Sequence, residues 1–582
     1  MIRRLLAAVI VPLGFAALLH AAPMLRLVNT AVVAVPLPVG ASGGTQIVEA
    51  YNAGDGSLSP SVSAPVYVPA ASVSWIVPSV GSPRACTTTA ASATCIPLQF
   101  ALNTSTLAAG TYTGTVTVSD PNAVDSPQTV TVTVRMGGVD VYVAPGSSYD
   151  VRFSTNSSLT GVATTQDGSR WLSLALDGTG SFRFTYPYKI HVAPSSGMAS
   201  GTYTGSLVTS GSSFAPDDQT IPVTMRVTTQ PIAQPSPDHV GVRLAQGAPP
   251  LPMAISLNNS GQGSLTIGTV TATTTDGGRW LTASANAGGW AAIALDPGAL
   301  APGSYSGTVS MASNAVNGTV SVPVSFQVVA KSAPLASCSG VVDNAIFGSG
   351  DAVARGDIVD VFGEQFLFGN LTYSPGVPLT TQITGPSVSS VLVNGRPAPL
   401  FFSSYYQIAF QVPMETAVGT ALVQVQRDGL AGNTVSVQVV DRAPRLLLAA
   451  GGPFGAIQNA RDLSYPMPVG YLPGVTTHPA QVGDTLTIYA IGLGTTYPAV
   501  GTNVPAPSSE PLARLTPTPV VNFGGTIFGT VSATPAYAGL TPTYVGLYQV
   551  NVTIPAGVPA GLVAVRLAFP DSVSNSVQIA IQ

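Results

Sequence analysis

Two different internal repeats make up this chain, and they restrict its fold more than any other feature. A tyrosine-centred motif, Leu/Met-Ala-x-Gly-Thr/Ser-Tyr-Thr/Ser-Gly, occurs three times in the N-terminal part of the chain, at 107–114, 198–205 and 300–307. Its tyrosines are 91 and 102 residues apart, about the length of one β-sandwich domain. A tryptophan precedes each copy, at Trp75, Trp171 and Trp280. The repeats therefore predict three similar modules in series.

The second half carries a separate duplication with anchors at equal offsets. Gly356-Asp357 and Gln407–Pro413 have counterparts at Gly483-Asp484 and Gln549–Pro555. After each of the two prolines, a glycine follows at an offset of 6 residues and an asparagine at an offset of 20. Because the offsets are the same in both copies, we predict two further domains that share one fold.

Composition indicates a β protein with hydroxyl-rich outer faces. Charged residues make up only 8% of the sequence, against about 25% in an average soluble protein, whereas hydrophobic residues make up 45%. Segments such as Thr129–Val134 alternate Thr with Val, as half-buried strands do. Asn317-Gly318 and Asn394-Gly395 are typical of hairpin turns. We predict an all-β chain, a tandem array of about five immunoglobulin-like β-sandwich domains after an N-terminal signal peptide.

The N-terminus has the three parts of a secretory signal peptide. Arg3-Arg4 is followed by the apolar run Leu5–Leu19 and then by small residues at Ala21 and Ala22. This run is too short to cross a bilayer comfortably, so a retained anchor is the weaker alternative. The cleavage position stays open. No other stretch reaches 18 uninterrupted apolar residues, so we expect a secreted or cell-surface protein without a membrane-spanning segment in the mature chain.

The repeats also set the predicted domain boundaries. The signal peptide occupies 1–22, three N-terminal modules occupy 25–137, 138–228 and 239–330, and two C-terminal modules occupy 340–441 and 442–582. The Pro-rich stretch 230–237 and the segment 331–338 are expected to be extended linkers. Limited proteolysis should cut first at these two places.

The N-terminal modules share a family pattern of a Trp-Leu or Trp-Ile pair, then the tyrosine motif, then a last strand rich in valine. In this order they resemble the BACON-like bacterial immunoglobulin-type domains. The resemblance covers the three modules between 25 and 330. It implies that the tryptophans and tyrosines mainly form the core, and it implies carbohydrate binding only for some members.

Five segments of the C-terminal half appear in the order of a second family: 393–402, 407–413, 479–484, 491–494 and 546–551. They resemble the Solibacter-type C-terminal module of secreted acidobacterial proteins, with tandem IPT/TIG-like immunoglobulin folds. This resemblance covers about 340–582. It implies secretion and an extracellular or cell-surface location, and it implies no particular chemistry.

Three cysteines are present. Cys86 and Cys95 flank a Thr/Ala/Ser loop, and we predict a disulfide between them in an oxidising compartment. A ring of this length contributes roughly 2–3 kcal/mol in the chain-entropy model. Cys338 falls in the predicted linker, where it is either free or paired between chains. A zinc site needs more ligands than these cysteines supply.

The sequence offers no convincing catalytic residues. Gly40–Gly44 has the Gly-x-Ser-x-Gly spacing of a nucleophile elbow around Ser42, but glycine- and serine-rich turns produce this pattern freely. The remaining candidates are three histidines in three different modules, at His191, His239 and His478. Since no shared pocket is expected for them, we predict a protein that is not an enzyme.

Carboxylates are also interpreted as structural. Asp357, Asp360 and Glu364 are close in sequence, but Asp357 and Asp360 should point to opposite faces of a strand, and a glycosidase needs two acids facing one cleft. Asp120–Asp125 has acidic residues at a calcium-like density but lacks the spacing of a known loop, so a hairpin turn is favoured. With 21 Lys+Arg against 25 Asp+Glu, nucleic acid is not an expected partner. We predict no metal and no cofactor.

Aromatic and amide residues leave one candidate ligand contact. Trp75, Trp171 and Trp280 are interpreted as core residues, whereas Trp290 has no counterpart in the other repeats and is the candidate for an exposed aromatic. Gln407 and Gln549 are expected to form hydrogen bonds within their sheets. The leading hypothesis is therefore a secreted scaffold or adhesion-type protein. The alternative is an extracellular carbohydrate-binding protein, with cell-surface or matrix glycans or proteins as the candidate partners.

Overall fold

The computed structural model describes residues 22–68, 73–87, 93–155, 157–177, 186–286, 288–450, 452–524 and 530–582. The predicted signal peptide at 1–22 lies outside the described residues, apart from Ala22. Within these ranges the chain forms ten β-sheets, which pack as five two-layer sandwiches. The predicted all-β array of immunoglobulin-like sandwiches is confirmed. The helices in the described ranges include none that is long and apolar enough to cross a membrane.

Sandwich 1 contains strands β1 to β10. Its two sheets have the orders β1-β3-β8-β6, with β7 beside β8, and β2-β10-β9-β4, with β5 beside β9. The strands are β1 (Leu25–Leu27), β2 (Ala31–Val33), β3 (Gln46–Asn52), β4 (Ser61–Val62), β5 (Val66–Val68), β6 (Ile76–Val80), β7 (Arg84–Ala85), β8 (Thr94–Leu102), β9 (Gly110–Ser119) and β10 (Gln128–Met136).

Sandwich 2 contains β11 to β17 and a short 3₁₀ helix. Its sheets have the orders β11-β17-β16-β13 and β12-β15-β14. The elements are β11 (Val139–Val143), β12 (Tyr149–Thr155), β13 (Thr160–Thr165), β14 (Leu172–Leu176), β15 (Tyr186–Val192), β16 (Gly201–Ser210), the 3₁₀ helix (Ala215–Asp217) and β17 (Thr220–Val227).

Sandwich 3 contains β18 to β25. Its sheets have the orders β18-β20-β23-β22 and β19-β25-β24-β21. The strands are β18 (Ala233–Ser236), β19 (Val240–Ala245), β20 (Leu251–Asn259), β21 (Ile267–Thr274), β22 (Leu281–Asn286), β23 (Trp290–Leu295), β24 (Gly303–Ser313) and β25 (Val320–Val329).

Sandwich 4 contains β26 to β36. Its sheets have the orders β26-β28-β34-β33-β29 and β27-β36-β35-β31-β30, with β32 beside β31. The strands are β26 (Leu335–Asp343), β27 (Val353–Ala354), β28 (Ile358–Glu364), β29 (Thr372–Tyr373), β30 (Ile383–Thr384), β31 (Val388–Val393), β32 (Arg396–Pro397), β33 (Leu400–Ser403), β34 (Gln407–Gln411), β35 (Gly419–Arg427) and β36 (Leu430–Val440).

Sandwich 5 contains β37 to β47. Its sheets have the orders β37-β39-β45-β44-β41-β40, with β38 beside β39, and β43-β42-β46-β47. The strands are β37 (Arg445–Leu446), β38 (Ile457–Asn459), β39 (Thr485–Ile491), β40 (Thr496–Tyr497), β41 (Arg514–Leu515), β42 (Val520–Phe523), β43 (Val531–Ala533), β44 (Tyr537–Leu540), β45 (Tyr548–Thr553), β46 (Gly561–Ala568) and β47 (Val577–Ile581).

Alternation of apolar and hydroxyl residues gives each sandwich a core of its own. In β10 the side chains of Val130, Val132 and Val134 are fully buried, and the threonines between them point outward. Equivalent buried clusters fill the other four sandwiches. Asn394-Gly395 forms the predicted two-residue hairpin, in which both residues have positive φ (49° and 77°) and Val393 pairs with Arg396.

Two strands extend into the segments predicted as linkers and thereby shift two of the predicted boundaries. Residues 233–236 form β18, which pairs with β20, so sandwich 3 begins before 239. Residues 335–343 form β26, which pairs with β28, so sandwich 4 begins before 340 and Cys338 lies in a strand. β18 accommodates Pro235 because it is an edge strand, where a missing N–H is tolerated. The Pro-rich composition of 230–237 therefore predicts a spacer where the structure has an edge strand.

Sandwiches 4 and 5 repeat the same hydrogen bonds at their anchor residues. The Asn433 side chain bonds both backbone groups of Ala336 (2.8 and 2.9 Å), and Asn575 does the same with Leu446 (2.7 and 3.0 Å). Asp357 accepts the N–H three residues before it, and Asp484 does likewise (3.1 and 2.9 Å). The predicted duplication therefore extends to individual hydrogen bonds.

Candidate functional site

The repeated tyrosines and tryptophans hold the sandwiches together. Each motif tyrosine donates its hydroxyl to the carbonyl four residues earlier, at 3.2 Å for Tyr112, 3.0 Å for Tyr203 and 2.9 Å for Tyr305. The preceding tryptophans are at most 3% exposed. Trp171 and Trp280 each donate the indole N–H to an aspartate four residues earlier (3.2 and 3.1 Å). These side chains fix local backbone, so they offer no ligand site.

Trp290 lies at the start of β23, between β20 and β22. It pairs across the sheet with Ser256 and Asn286. Its side chain is half-buried, less open than its glycine-rich sequence context indicated. The structure therefore leaves part of the indole accessible on a sheet face and brings no second tryptophan to it among the described residues.

The cysteines fall in two places. Cys86 and Cys95 are joined by a disulfide within sandwich 1. Cys338 is a half-buried free thiol in sandwich 4 that contacts the Met24 sulfur at 3.1 Å and the Ala53 carbonyl at 3.4 Å. Both contacts belong to sandwich 1, so Cys338 lies at an interface between domains that are distant in sequence.

Asp357, Asp360 and Glu364, which are close in sequence, do not form an accessible acid–base pair. Burial raises the pKa of Asp357 to about 7 and that of Asp360 to about 6. Both side chains are inaccessible to a substrate, because Asp357 is 1% exposed and Asp360 is 0% exposed. Glu364 is committed to an ion pair with Arg243 of sandwich 3. Raised pKa values here follow from burial in the fold and indicate no catalytic role.

The other candidate catalytic residues are either far apart from one another or already hydrogen-bonded within the protein. Ser42 is exposed in the loop before β3, without the strand-to-helix turn of a nucleophile elbow. Three separate aspartates bond the candidate histidines: Asp150 bonds His191 (2.6 Å), Asp238 bonds His239 (2.9 Å) and Asp462 bonds His478 (3.1 Å). They lie in different sandwiches, as their sequence positions indicated.

The segment Asp120–Asp125 forms the turn between β9 and β10 and organises the start of the chain. Asp120 accepts the N–H groups of Ser59 and Asn122. Asp125 accepts the N–H of Leu25 (2.6 Å) and pairs with Arg26. Its carboxylate oxygens are thus used within the protein. In the described part of the chain, no three His, Cys, Asp or Glu side chains are grouped to hold a metal ion.

A cleft lies where sandwiches 1, 3 and 4 meet, with a volume of about 690 Å³. Arg243 connects all three domains: its guanidinium pairs with Glu364 of sandwich 4 and donates to the Ser126 carbonyl of sandwich 1 (3.4 Å). Thr117 of sandwich 1 also bonds Ser304 of sandwich 3 at 2.7 Å. Sequence analysis missed this junction, because its partners are more than a hundred residues apart.

Two glutamine amides in the cleft walls form hydrogen bonds within the protein. The Gln327 side chain bonds Gly303 and Ser304, and the Gln365 side chain bonds Ser332. Because these amides are satisfied within the protein, a polar ligand would have to displace existing hydrogen bonds. The contacts of Arg243, Thr117 and Ser304 fix three domains together at this cleft.

Comparison with known proteins identifies no family. No protein-family description matches the chain, and no curated protein does. Structural matches include the human desmocollin-1 ectodomain (11% identity, 72% of this chain and 80% of that chain, TM-score 0.16). Drosophila N-cadherin EC1-4 aligns over 59% of this chain and 88% of its own (10% identity, TM-score 0.20).

An endo-fucoidan hydrolase of glycoside hydrolase family 107 also aligns, at 13% identity over 53% of this chain, with a TM-score of 0.14. This alignment spans only 45% of the hydrolase chain. At such TM-scores the matches add nothing to the strand pairing described above.

Proposed function

We propose that this protein is a secreted or cell-surface scaffold of the adhesion type, without catalytic activity of its own. The observation that carries the proposal is the three-domain junction around Arg243, where half-buried contacts join sandwich 3 to sandwich 4 and also to sandwich 1, which is not its neighbour in sequence. A flexible string of domains needs no such contacts, whereas an element that holds a fixed shape outside the cell does. The buried, fully bonded carboxylates give no support to a hydrolytic role.

Export is part of this proposal. The Arg3-Arg4 and Leu5–Leu19 pattern supports a signal peptide, and the bond between Cys86 and Cys95 suits an oxidising compartment. Membership of the BACON-like and Solibacter-type families is likewise proposed, supported by the repeated tyrosine hydrogen bonds and by the shared anchors of sandwiches 4 and 5.

Protease treatment of intact cells, combined with a deletion strain, tests the scaffold role. We expect external protease to remove the protein from whole cells or the protein to be found in the medium, and we expect the deletion to weaken attachment to surfaces or to other cells. A variant with Arg243→Ala and Glu364→Ala should restore attachment less well than the wild type. Recovery of the protein only in the cytoplasm, with reduced cysteines, would refute the proposal.

Carbohydrate binding through Trp290 is the second proposal. Its support is the partly accessible indole at the start of β23, flanked by the amide of Asn286. Binding to a glycan array that is lost on Trp290→Ala would support it. Binding that is unchanged by this substitution would place any glycan site elsewhere.

A further inference from the structure

One outer sheet face of sandwich 4 carries aromatic side chains on neighbouring strands. Cross-strand partners point to the same side of a sheet, and Phe362 of β28 pairs with Gln407 of β34. Phe402 of β33 pairs with Ala409 of β34 and with Tyr373 of β29. We call Phe347, Phe362, Phe402, Tyr373 and Gln407 the aromatic face. It crosses four adjacent strands, a width of about 14 Å.

The four rings form two matched pairs. Phe347 and Phe362 lie edge to face with ring centroids 5.9 Å apart, and Tyr373 and Phe402 have the same arrangement at 5.9 Å. Phe347 is 49% exposed and Tyr373 is 65% exposed. Each pair therefore has one ring half-buried against the sheet and one open to solvent, which provides two separate stacking positions.

Phe347 is held in place by buried polar groups. The carboxylate of Asp343, itself 1% exposed, accepts the N–H groups of Ala345 (2.9 Å), Ile346 (2.7 Å) and Gly348 (3.3 Å). Phe347 has a φ of 55°, a strained conformation for a bulky side chain. The fold thus maintains an exposed ring at a cost in backbone strain, which is typical of functional positions.

The face combines apolar rings with an uncharged hydrogen-bonding group. Asp360 lies beneath it, fully buried, and accepts the side-chain amides of Asn344 (2.5 Å) and Gln407 (2.9 Å). Because the Gln407 nitrogen is used in this way, its amide oxygen can accept from a ligand. Glu364, on the same strand, is paired with Arg243. No unpaired charge of the described residues therefore faces a ligand here.

Sandwich 5 repeats the central feature of this face. Tyr489 and Gln549 occupy the positions of Phe362 and Gln407 and pair in the same register. Cross-strand pairs continue this row from Gln549 through Gly539 and Arg514 to Tyr497, which is 80% exposed. The guanidinium of Arg514 is paired with Glu510. An aromatic residue beside a glutamine is thus present on the same face of both copies.

We propose that the aromatic face of sandwich 4 binds a neutral polysaccharide segment, with the Tyr489–Gln549 face of sandwich 5 as a second binding position. Saccharides present apolar C–H faces to aromatic rings and hydroxyl groups to amides, and an uncharged saccharide matches a face without available charge. The inference goes beyond the scaffold role, because a scaffold needs no ligand. It also differs from the Trp290 proposal in its location.

Affinity electrophoresis of the mature full-length chain tests the inference. Gels contain hydroxyethyl cellulose, galactomannan, xylan or, as an anionic comparison, alginate. We expect retardation by at least one neutral polymer, and an apparent Kd about tenfold weaker for Phe402→Ala, the loss of one stacking contact. Phe347→Asn should weaken binding similarly without loss of stability, because asparagine tolerates positive φ. Tyr489→Ala together with Phe402→Ala should abolish retardation.

A matched control and a second comparison keep the test specific. Leu422→Ala removes an exposed apolar side chain from the other sheet of sandwich 4 and should bind as the wild type does. Trp290→Ala separates the two glycan proposals, because binding at the aromatic face is lost through Phe402→Ala whether or not Trp290 also contributes. Thermal melts establish that each variant folds. The inference would be overturned if no neutral polymer retarded the protein, or if alginate retarded it equally. It would also be overturned if only Trp290→Ala lost binding. A wild-type protein that self-associates, and stops doing so on Phe402→Ala, would show instead that the face binds a second copy of the chain. A variant that loses attachment but binds glycans normally would bear on the scaffold role and not on this inference.

Discussion

Asparagine side chains act as clamps between the first and last strands of the C-terminal sandwiches. Asn433 bonds Ala336 of β26, and Asn575 bonds Leu446 of β37, each through both the amide nitrogen and the amide oxygen. In sandwich 3, Asn317 makes the same pair of bonds to Ala233 of β18 (2.9 and 2.8 Å). One side chain thus satisfies two backbone groups where an edge strand begins.

Removal of a clamp should destabilise its own sandwich. Asn433→Ala leaves the N–H and C=O of Ala336 without these partners, so we expect unfolding free energy to fall by about 1–3 kcal/mol. Chemical denaturation of the full chain measures the change. Asn370→Ala, on an exposed loop of the same sandwich, should have little effect. Equal effects of the two substitutions would contradict the clamp.

Asp357 and Asp360 should make stability depend on pH. Their pKa values rise from 3.8 to about 7 and about 6, mainly through burial, so the folded state keeps protons that the unfolded state releases. Unfolding free energy should therefore fall as pH rises from about 4 to about 7. We expect a lower Tm at pH 8 than at pH 5.5.

Substitution separates this effect from other titrations. Asp357→Asn should reduce the Tm difference between pH 5.5 and pH 8, whatever its effect on overall stability. Hydrogen bonds from Arg442 and Ser572 lower the pKa of Asp571, and neither partner titrates between pH 5.5 and pH 8, so Asp571→Asn should retain the wild-type difference. Calorimetry at both pH values measures the slopes. An Asp357→Asn protein with the full wild-type difference would show that another group is responsible.

At the scale of elements, the stability of the β7–β8 hairpin in sandwich 1 should depend on the disulfide between Cys86 and Cys95. Cys86 follows β7 and Cys95 lies in β8, two strands that pair with each other. Replacing both cysteines with serine should lower the unfolding free energy by roughly 2–3 kcal/mol through the larger entropy of the open loop. Non-reducing peptide mapping of exported protein should find this pair linked and Cys338 outside it. Three free thiols in that protein would contradict the disulfide.

Strand β26 decides where an independent C-terminal fragment has to begin. A fragment starting at 340 loses Leu335 and Ala336, which pair with Glu364 and Gly363, and with them the backbone partner of Asn433. We expect a 330–582 fragment to give a cooperative melt and a 340–582 fragment to melt at lower temperature or to aggregate. Indistinguishable melts would mean that the first half of β26 is dispensable.

Local signals explain which elements could be predicted from the sequence. Asn394-Gly395 determines a hairpin through its own backbone preferences, and alternating Val and Thr determine strands such as β10. β18 and β26 were missed because edge strands need little hydrophobic pattern, and Pro235 removes one of their signals. The entry strands β2, β11, β19 and β27 pair parallel with a later strand, which no short-range pattern could indicate.

At the scale of the whole molecule, the array is not a simple string of domains. Thr117 and Ser304 are 187 residues apart in sequence, and Cys338 and Met24 are 314 apart, yet both pairs are in contact. Such contacts depend on complementary surfaces of finished domains, so the residues carry no signal until the domains are folded. No short-range pattern indicates the aromatic face either, because the loop and sheet geometry of sandwich 4 brings its two ring pairs onto one side of the sheet.

Direct contact of sandwich 1 with sandwiches 3 and 4 has a mechanical consequence. If the chain is held at its C-terminal end and pulled from sandwich 1, tension passes through the Thr117–Ser304 and Met24–Cys338 contacts and bypasses sandwich 2. Sandwich 2 carries load only after these contacts separate. Its strands, from Val139 to Val227, could then release about 300 Å of chain when unfolded. The chain length of sandwich 2 is thus held in reserve behind two contacts that can separate before any sandwich unfolds.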